Sequence, residues 1–219
     1  MDLLVIGLSH KTAPVAQREK ASLGDEGARD LLADLIGGPV REAVVLSTCN
    51  RSEIYLVGDE PEAMAAGAAA ALVRHTAITA DELSHARYRH DFGEAARHLF
   101  RVASSLDSMV VGESEIQGQV LAAWERAREA RSAGPVLNEL FQRALETGKR
   151  VRHETGIGRG AVSVSSAAVD LARSNSAITA SRVLVIGAGP VAESAAATLV
   201  DGGAGELVVA NRTLASARA

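Results

Sequence analysis

The sequence has 219 residues, of which 47% are hydrophobic, 3% aromatic and 23% charged, and its formal net charge is −4. This composition is typical of a globular protein with room for one large domain or two small ones, and Leu, Val, Ile and Ala must fill its core. No apolar run approaches the roughly 20 residues that a membrane helix needs, and the N-terminal segment reads as a strand rather than a signal peptide. A single cysteine excludes an internal disulfide and favours the reducing cytosol, so we expect a cytoplasmic location.

The first 155 residues predict an α+β domain. An apolar run at 2–8 predicts a strand, and periodicity over 21–36 predicts a helix that the Gly37–Gly38–Pro39 sequence ends. Two apolar runs, 43–46 and 54–57, are joined by STCNRSE and predict neighbouring strands. Helices are predicted at 61–75, 93–103 and 115–131, with another after Gly134 and Pro135. The spacing predicts core positions at Leu31, Leu32, Leu35, Leu99, Val102, Leu106, Ile116, Val120, Trp124, Ala127, Leu137, Phe141, Leu145 and Gly148.

The pattern changes after the Gly-rich segment GIGRGAVS, which begins at residue 156 and predicts a domain boundary at 155/156. A helix at 162–173 is predicted first. The strand RVLVI, a glycine turn, a helix at 190–200 and the strand in GELVVA then follow. This order is the opening of a βαβ unit, so residues 156–219 predict the start of a Rossmann-like α/β domain. The sequence stops as the next helix begins, inside that predicted domain.

Basic side chains are concentrated in residues 126–159, where eight basic and four acidic residues give a local net charge of +4. Two interpretations are open. A solvated helical face is the commoner explanation of such a run. A surface that faces the phosphates of a nucleic acid is the sharper one.

A dinucleotide-binding pattern follows the strand at 183–186. Gly187, Gly189 and Ala192 fit G-x-G-x-x-[GA] between a strand and a helix. In that context glycines allow a tight turn and a close approach of the backbone to pyrophosphate, which the N–H groups of the helix N-terminus then bind. The alternative is a glycine turn selected for packing alone.

The end of the next strand indicates which dinucleotide is bound. An NAD site usually has Asp or Glu there, whereas this chain has Asn211, Arg212 and Thr213. No carboxylate would repel a 2′-phosphate, and a guanidinium is present to pair with it. The sequence therefore favours NADPH, unless Arg212 simply faces solvent.

Cys49 lies in STCNRSE, where a predicted strand gives way to a turn among polar residues. A lone cysteine is most often a small buried hydrophobe. Here Arg51 is near enough in sequence to stabilise a thiolate, which is the nucleophilic form. A nucleophilic cysteine together with NADPH indicates the reduction of an activated acyl group through a thioester.

Three stretches resemble signatures of the glutamyl-tRNA reductases, namely GLSHKTAPV at 7–15, STCNRSE at 47–53 and HLFRVASSLDSMVVGESEIQGQV at 98–120. GAGPVAE and ANRT resemble the NADPH site of the same family. The resemblance implies NADPH-dependent reduction of glutamyl-tRNA(Glu) to glutamate-1-semialdehyde, the first step of the C5 route to tetrapyrroles. It also implies glutamate-1-semialdehyde aminomutase as a partner and a homodimer for the full-length family, and it implies no metal.

The resemblance also implies roles for individual residues. Cys49 would be the nucleophile, and His98 would act near the thioester as a general acid/base or orienting group, although a histidine beside Leu99 and Val102 is also a common core residue. Arg51 would pair with the side-chain carboxylate of the substrate. The implied substrate-binding residues are Thr48, Asn50, Arg51, Ser108, Glu113, Ser114, Glu115 and Gln119. The implied cofactor-binding residues are Gly187, Ala188, Gly189, Pro190, Val191, Ala192, Asn211, Arg212 and Thr213.

Two positions depart from the family pattern, since Ser105 stands where glycine is usual and Glu115 where glutamine is common. Two other functions stay open. One is a shikimate-dehydrogenase-like NADP oxidoreductase, which needs no nucleophilic cysteine. The other is a fragment that binds or hydrolyses glutamyl-tRNA without reducing it.

Overall fold

The computed structural model describes residues 1–158, 164–175 and 181–218. It separates the chain into two compact units, Met1–Arg159 and Gly160–Ala219. The boundary predicted at 155/156 lies four residues before this division, and residues 159–163 of the segment GIGRGAVS lie outside the described ranges.

The first unit is built on a four-stranded sheet in the order β2-β3-β1-β4, with every neighbouring pair antiparallel. Its strands are β1 Asp2–Ser9, β2 Val40–Ser47, β3 Arg51–Gly58 and β4 Tyr88–Asp91. The central β3 is buried along its whole length. The register places Ser9 opposite Arg51 and Ser47 opposite Ser52, so the β2–β3 turn lies at the same end of the sheet as the end of β1.

Seven helices pack around this sheet within the described part of the unit. They are α1 Val15–Lys20, α2 Asp25–Leu35, α3 Pro61–His75, α4 Ala80–Ala86, α5 Phe92–Ala103, α6 Glu115–Glu129 and α7 Pro135–Glu154. Proline starts both α3 and α7, where its missing N–H costs nothing. Gly148 lets α7 approach α5 closely, because a Cβ at that position would lie 2.3 Å from the carbonyl oxygen of Ala103.

The sequence predicted most of this unit. The strand at 2–8, the paired strands around STCNRSE and the helices near 21–36, 61–75, 93–103, 115–131 and after Pro135 are confirmed. The short elements α1, α4 and β4 were not predicted. Leu106 is not a core residue, since 43% of it is exposed. The helical spacing does not reach it because α5 ends at Ala103 and Ser105 has a left-handed backbone with φ 59°.

The second unit contains the predicted βαβ arrangement. It comprises α8 Val164–Asn175, β5 Arg182–Ile186, α9 Pro190–Asp201, β6 Glu206–Ala210 and α10 Leu214–Arg218. β5 and β6 pair in parallel, which confirms the α/β start expected from the sequence. Residues 162 and 163 of the predicted helix lie outside the described ranges. No helix in the described ranges has both the length and the apolar character needed to cross a membrane.

Candidate active site

Cys49 lies at the tip of the β2–β3 hairpin, and its side chain is exposed. The turn is closed by a hydrogen bond from the Thr48 N–H to the Arg51 carbonyl at 2.8 Å. The Thr48 hydroxyl oxygen accepts the N–H groups of Asn50 and Arg51, each at 3.2 Å. The His10 N–H donates to the Asn50 carbonyl at 2.9 Å, which ties the end of β1 to the same turn. The thiol is therefore presented to solvent on a turn that main-chain bonds hold in place.

The electrostatics around the thiol differ from the sequence expectation. Burial raises the pKa of Cys49 first, the Glu113 carboxylate raises it further, and Glu115 acts in the same direction. Arg18 is the cation that opposes them and lowers this pKa. The prediction that Arg51 stabilises a Cys49 thiolate is therefore wrong, because the Arg51 guanidinium turns into the domain and binds other acceptors.

Arg51 belongs to a buried cluster centred on Glu53, which we call the Glu53 network. Glu53 is 0% exposed and accepts hydrogen bonds from Arg51 Nη1 at 2.6 Å, Tyr55 Oη at 2.6 Å, His98 Nε2 at 2.9 Å and the Tyr88 hydroxyl. Arg51 holds the pKa of this carboxyl far below its usual range against the opposing effect of burial. His98 is thus anchored to a carboxylate and sits in the same network as Arg51, and its catalytic role stays a prediction.

The second nitrogen of Arg51 extends the network towards Asp107. Arg51 Nη2 donates to the Asp107 carbonyl and lies 3.4 Å from its Oδ1, and Lys11 Nζ pairs with Oδ2. Arg51 is 1% exposed. A substrate carboxylate could therefore reach this guanidinium only by sharing or displacing its present partners, so the carboxylate-binding role implied by the family stays a prediction.

The remaining candidate substrate residues follow α5 in the chain. Ser108 and Glu113 are buried, Ser114 and Glu115 are exposed at the start of α6, and Gln119 is half-buried on that helix. Of these residues, Glu113 and Glu115 are the two whose carboxylates influence the pKa of the Cys49 thiol. Nothing in the described contacts ties Gln119 or the Asn50 side chain to the thiol.

Ser105, one of the departures from the family pattern, occupies a position that suits glycine. Its φ of 59° is in the left-handed region, which costs an L-residue roughly 1–2 kcal/mol. Its hydroxyl donates to Ser108 Oγ at 3.1 Å, a bond that offsets about 1 kcal/mol of that cost. The departure therefore links Ser105 directly to one of the predicted pocket residues.

Several residues near the site were missed by the sequence prediction. Glu53 carried a usable signal, since Arg51, Glu53 and Tyr55 alternate along β3 and so share one face of the sheet. Arg18 and Asp107 carried none, because their contacts cross 31 and 56 positions of the chain.

The turn after β5 starts with a glycine in the left-handed region and leads directly into the N-terminus of α9. Gly187 has φ 107°. Gly189 is the N-cap of α9 and makes no side-chain hydrogen bond to the helix, so the first N–H groups of α9 are available to a ligand. A cavity of 390 Å³ adjoins the turn and is lined by residues that include Gly187, Ala188 and Ala192. Arg212 is exposed beyond β6 and pairs with no acidic residue that the structure describes, while Asn211 Nδ2 donates to the Thr213 carbonyl at 3.1 Å. These residues fit a phosphate-bearing dinucleotide.

Three of the eight basic side chains in the stretch 126–159 pair with carboxylates in the described part of the chain. Arg143 pairs with Glu139 at 2.8 Å, Arg150 with Glu154 at 3.2 Å, and Arg126 with Asp25. Arg152 donates to the carbonyls of Gly112 and Glu113. This pattern favours the solvated-face interpretation, and Arg159 lies outside the described ranges.

The fold and the site define a class of protein in which an α+β domain with an exposed cysteine on a hairpin is followed by a dinucleotide-type βαβ unit. The family described as "Glutamyl-tRNAGlu reductase, N-terminal domain" matches residues 6–155, and "Shikimate / quinate 5-dehydrogenase" matches residues 170–219. The chain belongs to the glutamyl-tRNA reductase family.

Individual relatives agree with that assignment. A glutamyl-tRNA reductase from Syntrophotalea carbinolica is 45% identical over 220 residues, which is 100% of this chain and 50% of the relative. One from Streptomyces avermitilis is 44% identical over 97% of this chain and 38% of its own length. The solved structure of the Methanopyrus kandleri glutamyl-tRNA reductase has a TM-score of 0.65 and 39% identity, covering 99% of this chain and 51% of its own. The chain thus spans about half the length of the curated relatives it matches.

Among the described residues, no group of three His, Cys, Asp or Glu side chains converges on a possible metal position.

Proposed function

We propose that this chain accepts the glutamyl group of glutamyl-tRNA(Glu) on Cys49 and, as part of an NADPH-dependent reductase, yields glutamate-1-semialdehyde for tetrapyrrole synthesis. The observation that carries the proposal is the exposed thiol at the tip of the β2–β3 hairpin within a glutamyl-tRNA reductase domain. A substrate as large as a charged tRNA needs a nucleophile that projects from the surface. A thiol in a buried core position would not be reachable.

The acyl transfer follows from the chemistry of the thiol. The Cys49 thiolate attacks the carbonyl carbon of the ester that joins glutamate to the tRNA, so a C–S bond forms and the C–O bond to the ribose breaks. The ribose oxygen leaves with the electron pair and takes a proton. Glutamate is then held as a thioester, which is more reactive towards reduction than the ester that it replaces.

The second unit would hold the reductant. The pyrophosphate would lie at the Gly187–Ala192 turn and the N-terminus of α9, and Arg212 would pair with the 2′-phosphate. When bound, NADPH would supply the hydride that converts the thioester into an aldehyde, and Cys49 would be released as a thiolate that takes up a proton. Aminomutase would then be the partner that takes the aldehyde, and a homodimer is proposed for the full-length protein.

Trapping the acyl-enzyme tests the proposal. The chain is incubated with radiolabelled glutamyl-tRNA(Glu) without a reductant and quenched in acid, and the Cys49 peptide is analysed by mass spectrometry. We expect a glutamyl adduct on Cys49 and none from aspartyl-tRNA or from free glutamate. Absence of the adduct from a folded chain would favour a tRNA-binding fragment. Nucleotide binding in the absence of any adduct would favour a shikimate-dehydrogenase-like function, for which the match at residues 170–219 is the supporting observation.

Cofactor choice is tested by Arg212→Ala. Removal of a charge-assisted bond to phosphate is expected to cost roughly 1.5–3 kcal/mol of binding free energy for NADPH and little for NADH. Calorimetric titration of each nucleotide measures the difference. Arg182→Ala is the matched control, because that exposed arginine begins β5, at the other end of the same sheet, where it pairs with Glu206. Equal losses for NADPH and NADH would show that Arg212 does not contact the 2′-phosphate.

A further inference from the structure

Arg18 is a buried cation next to the nucleophile that neither the sequence patterns nor the proposed acyl transfer uses. It lies in α1 and is 7% exposed. Its Nε donates to the carbonyl oxygen of Cys49 at 3.3 Å, and its Nη1 donates to the carbonyl oxygen of Ala13 at 2.8 Å. Both acceptors are neutral main-chain groups, and within the described part of the chain Arg18 has no carboxylate partner.

Such an arrangement is expensive to maintain. A guanidinium keeps its charge at every physiological pH, and a buried charge without a counter-ion loses hydration that two carbonyl groups replace only in part. Arg51 shows the contrast, because it is also buried but is bound to the carboxylate of Glu53. A neutral donor could hold the Cys49 carbonyl as well as Arg18 does, so what the guanidinium adds at this position is positive charge.

The charge has a definite counterpart at the thiol. Glu113 and Glu115 place negative charge around Cys49 from the segment before α6 and from its first turn, and Arg18 acts on the same thiol with the opposite sign from α1. A negative sulfur, and the negative oxygen that forms when it attacks an ester carbonyl, are both stabilised by a fixed positive charge nearby.

We propose that Arg18 is a positioning residue for Cys49, whose buried guanidinium fixes the main chain of the nucleophile and supplies the positive charge that offsets Glu113 and Glu115 at the sulfur. This inference rests on the proposed function only in taking Cys49 as the nucleophile. The contact to Cys49 O connects α1 directly to the hairpin tip, so one side chain contributes both to the position of the thiol and to its charge environment.

The alkylation of Cys49 as a function of pH tests the inference without any tRNA, and the reading is unambiguous because the sequence has one cysteine. The rate with iodoacetamide is compared for the unaltered chain, Arg18→Gln and Arg18→Lys. Gln removes the charge but keeps an N–H donor, whereas Lys keeps the charge. We expect Arg18→Gln to move the midpoint of the profile to higher pH and to slow alkylation at pH 7.5 by roughly three- to tenfold. Arg18→Lys should restore the profile.

Arg126→Gln is the control. The Arg126 side chain is only 16% exposed, but it pairs with Asp25 and lies in the last turn of α6, whereas Glu115 lies in the first. This variant should leave the profile unchanged. A folded Arg18→Gln chain with the unaltered profile overturns the inference. If Arg18→Gln does not fold, the midpoint measured for Arg18→Lys decides. Because Lys keeps the charge, an unchanged midpoint supports the inference, whereas a midpoint moved to higher pH overturns it. Failure of the unaltered chain to form any acyl adduct would instead count against the proposed function, since alkylation does not depend on it.

Discussion

Cys49→Ser is expected to abolish formation of the glutamyl adduct, with a loss of at least about 10³-fold, the scale on which removal of a catalytic nucleophile acts. A serine hydroxyl is far less ionised than a thiol, and no described side chain makes a hydrogen bond to the Cys49 sulfur that could deprotonate a hydroxyl there. The rate of adduct formation from glutamyl-tRNA, followed by acid-quenched mass spectrometry, measures the effect. A serine variant that forms the adduct at an undiminished rate would sink the mechanism.

Two controls separate chemistry from folding. The serine variant should unfold at the same temperature as the unaltered chain, because the side chain is exposed at a hairpin tip whose bonds are main-chain and Thr48 contacts. The unaltered chain should also lose acyl transfer after treatment with iodoacetamide. Because the pKa of the Cys49 thiol is raised, little thiolate is present at neutral pH, so the rate should increase as pH rises from neutral into the alkaline range.

The sequence was sufficient to place Cys49, the proposed nucleophile, but not to predict its surroundings. Cys49 is flanked by two apolar runs, and such a pattern has few solutions other than a hairpin, which is what the structure contains. The partners of Arg51 could not be predicted from such a local pattern. Asp107 lies 56 residues further along, in an irregular segment whose path depends on the left-handed backbone at Ser105. Proximity in sequence therefore suggested a thiol partner for Arg51, whereas the fold supplies carboxylates.

The elements that were missed have a common physical character. α1 has six residues, α4 has seven and β4 has four, so none is long enough to show a hydrophobic period. β4 is also polar along its length and lies at the edge of the sheet, where pairing with β1 rather than burial defines it. The βαβ start of the second unit was predicted because its strands and glycine turn are strong local signals.

Glu53→Gln is expected to destabilise the first unit by about 3–5 kcal/mol, because it leaves the buried Arg51 guanidinium without its principal counter-ion. An amide also brings an NH₂ group to a position where Arg51, Tyr55, Tyr88 and His98 all supply donors. Urea unfolding followed by fluorescence measures the loss. Trp124, the one tryptophan of the sequence, lies in α6 and so reports on this unit alone.

Glu42→Gln is the matched control. Glu42 is also buried at 5% exposure, but its oxygens accept the main-chain N–H groups of Val136 at 3.1 Å and Leu137 at 2.7 Å, at the start of α7. A glutamine carbonyl can still accept one of these bonds, so the expected loss is only about 1 kcal/mol. Similar losses for Glu42→Gln and Glu53→Gln would show that the charge on Glu53 contributes no more than a neutral acceptor would.

The stabilisation that Glu53 provides is also expected to depend on pH, and to fall as the pH becomes acidic. The folded pKa of Glu53 is depressed below its unfolded value of about 4.3, so the ionised carboxylate stabilises the fold at every pH above that value. As pH falls below about 4, the unfolded chain takes up a proton that the folded chain excludes, and this stabilisation is lost progressively. The difference in unfolding free energy between the unaltered chain and Glu53→Gln should therefore be constant from pH 6 to 8 and shrink in acid. A difference that is independent of pH down to about 3 would show that Glu53 is not held ionised by Arg51. The loss in Glu53→Gln would then arise from the shape and hydrogen bonds of the side chain alone.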